Sequence, residues 1–372
     1  MYSYLCALQG CEVSLRFFFD THKPFPDSNK MKHKTFFWFV LPSALAMLLF
    51  IFVPIISVLV QSVHVAHEQV IVETENCGLF GCTKSTMVDQ DATRQLKEDA
   101  PLGRFSGLDT YFDRNHLASA EFKMAWAESE SPGEFWNAML NLPFYNALLF
   151  TLTYTFIVTP LVIIFGFIIA VAVNNAAKAI RGPLIFFSLL PFMIPPLVGS
   201  LVIFWMVDAR GIFGNALQFL ASNPDLSIKA STPLTWIMLM VYGVWHSAPF
   251  AFIVYYAGLQ TVNNDTLEAA MIDGASRWER IRYVVIPHLL PLTTFIALMQ
   301  LMDNFRVFEP IVSFNAEAHA TSLSFAIYND LYGETQRLNS AAVTSVLTII
   351  GIAILLTPVL IRTWRDFTRK QG

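Results

Sequence analysis

Near residue 300 an otherwise apolar run carries four polar side chains, in Gln300-Leu-Met-Asp303-Asn304-Phe-Arg306. Gln300, Asp303 and Asn304 are spaced i, i+3, i+4, which puts them on one face of a helix. Amide and ionisable groups inside hydrophobic stretches are costly unless they face a cavity or one another. Such a row can hold a hydroxyl-bearing solute through hydrogen bonds, or it can bridge neighbouring helices, and both readings stand. Upstream, Gly243, Ser247 and Phe250 recur at i, i+4, i+7, a face with little bulk and one aromatic ring. Arg306 leaves room for an anionic solute, although pairing with Asp303 or Glu309 is the simpler account. Motifs of bond-breaking chemistry are missing. No Gly-Lys dipeptide occurs, which excludes a G-x-x-x-x-G-K-[ST] phosphate loop, and there is no H-E-x-x-H, G-x-S-x-G or Cys/His metal spacing. No catalytic residue and no metal site is therefore assigned.

A second constellation is Glu268-Ala269-Ala270-Met-Ile-Asp273-Gly274-Ala-Ser-Arg277, continuing to Pro287 and Pro291. Thr266–Ile272 has helix-forming composition with an acid at its start, favourable to the helix dipole. Gly274 suits a left-handed helix end. The spacing predicts a helix, a glycine turn, a second helix and then Pro287 leading into the next apolar run. Ala269 and Ala270 would let a partner surface approach closely.

The elements that position these residues are membrane spans. The chain has 372 residues, 55% apolar and 14% charged, against about 25% charged in soluble domains. Six charge-free windows reach the roughly 20 residues that cross a bilayer core: Thr35–Val63, Phe135–Ala177, Gly182–Val207, Ala230–Asn264, Tyr283–Met302 and Leu338–Ile361. The second and fourth are longer than one crossing and centre on Tyr145–Val173 and Thr235–Leu259. Lys30, Lys32, Lys34, Lys178, Arg181, Arg277, Arg280, Arg282, Arg362, Arg365, Arg369 and Lys370 all fall on one side if six spans alternate. The positive-inside rule makes that side, and both termini, cytoplasmic.

The resulting division is an N-terminal extension (1–34), a first span (35–63), an external segment (64–143), a five-span core (144–362) with a cytoplasmic loop at 265–283, and a tail (363–372). The external segment has 13 acidic and 6 basic residues, and nothing in the charge pattern suggests nucleic acid. The extension has no cleavable leader pattern, and Met31 is an alternative start. Cys77 and Cys82 lie in the external segment, where an oxidising compartment would let them close a small loop. Disorder of Lys84–Pro101 competes with local structure there.

The Glu268–Pro291 spacing resembles the EAA motif of binding-protein-dependent ABC importer permeases, E-A-A-x-x-D-G-A followed by an aromatic, an aliphatic and L-P. Glu268, Ala269, Ala270, Asp273, Gly274, Ala275 and Pro287 are in register, while Ile281 and Ile286 replace the usual aromatic and leucine. The likeness runs from about Thr35 to Ile361 and is greatest to the carbohydrate-uptake branch that includes the larger maltose-permease subunit. Leu41-Pro42, Pro54, Asn146, Thr151, Pro191–Pro196, Gly211–Asn215 and Trp245…Phe250…Gly258-Leu259-Gln260 take part. Asn315-Ala-Glu317-Ala-His319-Ala-Thr321 departs from the family's Gly-Gly-Pro loop.

The resemblance implies an all-α type I ABC importer transmembrane domain in a bacterial inner membrane. It implies a second permease subunit, two ATPase subunits that carry ATP and Mg, and a periplasmic solute-binding protein as partners. Glu268, Ala269, Ala270, Asp273, Gly274 and Arg277 are then the ATPase-coupling residues. The resemblance places Asn304 on the path of a sugar or sugar-like solute, and helix-face spacing adds Gln300, Asp303, Ser247, Gly243 and Phe250 to that path, surrounded by lipid-facing helices. A permease for a polyamine or organic anion, or a membrane sensory or scaffolding subunit, are the competing readings.

Overall fold

The computed structural model describes residues 33–67, 70–78, 81–222, 227–333 and 336–369. Cys6, Cys11, Lys30, Lys32 and Lys370 lie outside them. Two compact units divide the chain, Met1–Ser57 and Val58–Gly372. Phe36–Ser62 (α1), most of which belongs to the first unit, is a helix of mean hydropathy 2.7. Its turn at Leu48–Phe52 is widened to the π form just ahead of Pro54. Proline has no N–H to give the carbonyl four residues back, and a widened turn absorbs that loss.

The second unit is built on Pro143–Asn175 (α2), Lys178–Met193 (α3), Pro196–Val207 (α4), Ile212–Ala221 (α5), Thr232–Leu259 (α6), Asn264–Ile272 (α7), Arg277–Phe305 (α8), Leu323–Tyr332 (α9) and Leu338–Arg369 (α10). Among the described residues, five helices (α1, α2, α6, α8 and α10) are long and apolar enough to cross a membrane, and six if the bent pair α3–α4 counts as one span. The fifth helix therefore starts at Arg277, ahead of the charge-free window that opens at Tyr283.

Helices α2, α6 and α8 form the centre, where Phe150, Val158, Val162, Leu239, Phe252, Tyr255, Leu289 and Ile296 are buried. Lipid tails are as apolar as these side chains, so close packing and interhelical hydrogen bonds, not water exclusion, must hold the helices together. Gly166 shows the closeness: a Cβ there would stand 2.5 Å from the Cβ of Ala251 and 2.9 Å from the backbone N of Phe252. Tyr255 adds a hydroxyl bond across to Thr293 Oγ1 at 2.9 Å.

Gly182–Val207 reads in sequence as one crossing, but the structure breaks it into α3 and α4 at an angle of 95°. Pro195 and Pro196 supply no N–H, and a following proline drives the residue before it into extended backbone. Ile194 and Pro195 accordingly have ψ of 127° and 137°. The carbonyls exposed by the break find donors on α6 and α4. His246 Nε2 donates to Ile194 O at 3.2 Å, and Tyr242 Oη donates to Pro196 O at 2.7 Å. Ser200 Oγ reaches the same Pro196 carbonyl at 2.7 Å.

The segment between α1 and α2 is structured. Its hairpin pairs Ile71–Gly78 with Gly81–Val88, and Cys77 is the direct backbone partner of Cys82. The helix Gln90–Asp99 follows, capped by the Asp89 carboxylate. The structure thus shows strand and helix across most of Lys84–Pro101 where disorder is the competing sequence reading. Tyr111 Oη to Ser62 Oγ (2.8 Å), Tyr145 Oη to the Leu117 carbonyl (2.9 Å) and His116 Nε2 to the Ser340 carbonyl (3.2 Å) fasten the segment to the helices.

If α6 donors hold the break, His246→Leu leaves the Ile194 carbonyl unpaired at a cost of about 1–3 kcal/mol. We expect a lowered unfolding temperature for the detergent-purified chain, largely restored in His246→Gln; unchanged stability in His246→Leu would refute the role. Gly166→Val is expected to destabilise by about 1–3 kcal/mol through overpacking of α2 on α6, measured in the same unfolding assay.

Candidate functional site: a cavity at the helix break and an exposed loop

The break in α3–α4 borders a cavity of about 390 Å³, within the roughly 300–1,000 Å³ of small-molecule sites. Gly243 and Ser247 of α6, Asp303 and Asn304 of α8, Tyr154 of α2 and Pro196 of α4 line it. Tyr242 and His246, the residues that hold the break, line it too, as do Arg306, Phe308 and Glu309 just beyond α8.

The sequence-predicted residues divide. Gly243, Ser247, Asp303 and Asn304 meet at the cavity. Asn304 is 4% exposed and its Nδ2 donates to Thr159 Oγ1 on α2 at 3.0 Å, so it bridges helices as well as lining the space. Gln300 is not among the lining residues. It is buried and its Oε1 has no hydrogen-bond partner. Phe250 is a correction: it lies outside the lining and packs its ring near Phe192 and Phe295, at centroid separations of 6.2 and 6.4 Å. An i+7 position returns to the same helix face but two turns further along, which at ~1.5 Å per residue carries Phe250 about 10 Å away from Gly243. Arg306 pairs with Asp303 at 3.8 Å with both side chains mostly exposed, a rim contact of small energy.

Sequence reasoning passed over Tyr154, Tyr242 and His246, and named Glu309 only as a partner for Arg306. His246 had a usable signal, an ionisable side chain inside an apolar span. Tyr154 and Tyr242 carried none, because tyrosines in spans are common near the interface. The cavity offers hydroxyl, amide, imidazole, guanidinium and carboxylate groups beside aromatic walls. That combination hydrogen-bonds a polyhydroxylated solute and sets no single sign of charge.

At the opposite end of α8 is the loop with the Glu268–Pro291 spacing. Helix α7 starts two residues before the predicted Thr266, capped by Asn263 Oδ1 on the N–H of Asp265 at 2.9 Å. It ends as the sequence predicts. Gly274 takes φ +83°, the Gly274 N–H bonds to Met271 O and the Ala275 N–H to Ala270 O, at 3.1 and 2.9 Å. This bond pair is the Schellman closure. Helix α8 then starts with a capping box, in which Glu279 N–H donates to Ser276 Oγ and Ser276 N–H to Glu279 Oε2. The Ser276 hydrogen bonds hold the Glu279 carboxyl below its ordinary range. Glu268, Ala269, Asp273 and Gly274 are exposed, as is Arg277; Ala270 is half-buried. Ile272 and Trp278 are 87% and 80% exposed, an apolar flank that the motif alone did not indicate.

The loop that departs from the family pattern is organised by other means. Asn315 itself takes φ +48°, a conformation asparagine tolerates better than most residues. Trp236 Nε1 donates to His319 O at 2.8 Å, and Thr232 Oγ1 lies 3.0 Å from His319 Nδ1. Cys77 and Cys82 sit opposite each other in the hairpin, far in sequence from both sites. Among the described residues no group of His, Cys, Asp or Glu could hold a metal ion.

Residues 135–365 match the family described as binding-protein-dependent transport system inner membrane component. The chain is 27% identical over 222 residues to the trehalose/maltose transport system permease protein MalF of Thermococcus litoralis, covering 58% of this chain and 72% of that protein. It is 28% identical over 231 residues to the galactooligosaccharides transport system permease protein GanP of Bacillus subtilis, covering 57% and 53%. Among solved structures, a chain of a bacterial ABC transporter involved in the import of the acidic polysaccharide alginate superposes with a TM-score of 0.55 at 18% identity, over 74% of this chain and 99% of that one. The fold is that of a type I ABC importer transmembrane domain. With its family match spanning α2 to α10 and its row of apolar helices, this multi-pass membrane chain belongs to the binding-protein-dependent transport system inner membrane component family.

Proposed function

We propose that the chain is the translocating subunit of an ATP-driven importer for a sugar or sugar-like solute, working by alternating access in a bacterial inner membrane. Its partners are a second permease, two ATPase subunits that bind ATP and Mg, and an external solute-binding protein. The observation that carries the reading is the continuity of α8. One helix of 29 residues, about 43 Å long at ~1.5 Å per residue, begins at the exposed Gly274 loop and ends at the cavity. A push on the loop is thereby delivered to Asp303 and Asn304.

The loop has the properties of a docking element. Glu268 and Asp273 are charged and exposed, with no ion-pair partner among the described residues. Asp273 stands at the C-terminal end of α7, where the helix dipole disfavours a carboxylate, so local stability does not explain it. Ile272 and Trp278 flank it with apolar surface. The names of the relatives, which transport trehalose, maltose and galactooligosaccharides, favour a sugar over a polyamine. Asp303 and Glu309 outnumber Arg306 among the charged lining residues, which disfavours an anionic solute. Phe122, Trp126 and Phe135 form edge-to-face pairs at 5.5 Å in the external segment, with Trp126 71% exposed, and supply a surface for the binding protein.

In the purified complex, Glu268→Arg is expected to abolish stimulation of ATP hydrolysis by the binding protein, since losing a buried interfacial charge contact costs about 2–5 kcal/mol. Unchanged stimulation and uptake would sink the coupling assignment. Asn304→Ala is expected to reduce uptake about tenfold or more, the loss of one or two charge-free hydrogen bonds, with basal ATP hydrolysis intact. Thr159→Val breaks the same interhelical bond but keeps the Asn304 amide. Equal loss in both variants would assign Asn304 to helix bridging alone.

A further inference from the structure

A second cavity, of about 500 Å³, lies behind the Gly274 loop, between the ends of α2, α6 and α7 and the first turns of α8. Val171, Leu259, Leu267 and Val285 give it apolar wall, and its polar lining is Asn174, Asn175, Arg277 and Arg280. No carboxylate lines it. Arg277 and Arg280 have no ion-pair partner among the described residues, and Arg280 Nε is buried with no hydrogen-bond acceptor. Glu279, the acid between them in sequence, is committed to the Ser276 N–H at 2.7 Å. Asn174 Oδ1 accepts from Gln260 Nε2 at 3.0 Å, and its amide N–H groups have no acceptor among the described residues.

These groups describe the missing ligand. Two guanidinium groups offer permanent positive charge and rigid forks of donors, and a third donor comes from a carboxamide. A buried charged donor with no acceptor is costly, and two like charges side by side add to that cost. A tetrahedral oxyanion presents enough oxygen acceptors to meet two forks and an amide together, whereas a planar carboxylate satisfies one fork. The space exceeds a bare ion, and its apolar wall suits the organic part of an ester.

We infer that this cavity binds a phosphate ester through Arg277, Arg280 and Asn174, the phosphate coming from a lipid headgroup or from a soluble molecule. Bound there, the ligand ties the end of α2 to the first turn of α8 and the inner side of α7. It acts on the stiffness of the same loop that receives force, at a site separate from the solute cavity. This inference does not depend on the solute being a sugar.

The test uses the full chain purified in detergent and its unfolding temperature. Inorganic phosphate is titrated against potassium chloride at equal ionic strength, and dihexanoyl phosphatidylglycerol against dihexanoyl phosphatidylcholine. Stabilisation by inorganic phosphate that phosphatidylglycerol does not exceed indicates a soluble ligand. Stabilisation by phosphatidylglycerol alone indicates a lipid headgroup. In either case Arg277→Gln/Arg280→Gln is expected to raise the midpoint concentration about tenfold or more, while Arg282→Gln, outside the lining, leaves it unchanged. Should the double variant not fold, Arg280→Lys, which keeps the charge and loses the fork, is expected to weaken binding severalfold. Absence of stabilisation by either probe in the parent chain overturns the inference, and is the result expected if a partner's carboxylate fills the cavity instead. Equal weakening in Arg282→Gln overturns it as well.

Discussion

Every backbone carbonyl inside hydrocarbon must find a donor within the protein, because no water is there to supply one. The junction Ile194–Pro196 is where this chain meets that constraint. Two successive prolines stop α3, and the exposed carbonyls turn to α6, where His246 and Tyr242 supply N–H and O–H. This fixes which face of α6 looks at the break. Gly243 and Ser247 share that face, and their small size leaves the space that Asp303 and Asn304 close from α8. The cavity is thus a consequence of how the break is satisfied. An aliphatic side chain at 246 would leave the Ile194 carbonyl unpaired, so this part of the polar lining is required structurally before any solute enters.

The other end of α8 follows the same logic with a different device. Pro287 cannot bond to the carbonyl four residues back, and the widened turn Ile281–Val285 just before it keeps the helix continuous, with Ile286 N–H reaching the Ile281 carbonyl. Continuity matters because a kink there would separate the Gly274 loop from the cavity. The loop itself is rigid for so exposed a segment. A Schellman closure ends α7 and a capping box opens α8 within a few residues, so nearly all local backbone groups are paired. A rigid projection transmits displacement, whereas a flexible one would dissipate it in local motion. Exposed Ile272 and Trp278 add the apolar area that a stable contact needs.

Much of this was legible in sequence because it depends on local rules. Span existence, the glycine at the left-handed turn and the meeting of Gly243, Ser247, Asp303 and Asn304 follow from hydropathy, conformational preference and helical periodicity. What failed depends on tertiary placement. Pro195 and Pro196 argue in sequence for a bent span, but that the bend reaches 95° depends on tertiary packing with no local signature. Phe250 obeys the face rule, but depth along the helix decides what a side chain touches, and it meets Phe192 and Phe295. His246 stands out as an ionisable side chain in an apolar span, but its partner, a carbonyl on another helix, has no sequence signature. Arg280 reads as topological charge until the structure shows its Nε buried without an acceptor.

On the proposed function, the cavity bordered by Pro196, Ser247 and Asn304 changes the side from which it is open as the Gly274 loop is moved. Ser324 lines that cavity and is half-buried, so Ser324→Cys in an otherwise cysteine-free chain reports access without touching the break. The assembled complex in sealed vesicles, treated with a membrane-impermeant maleimide added to one face at a time, gives the measurement. The account predicts labelling from the face carrying the Gly274 loop without nucleotide, and from the opposite face when the ATPase is trapped with vanadate. Labelling from the same face in both states would contradict it.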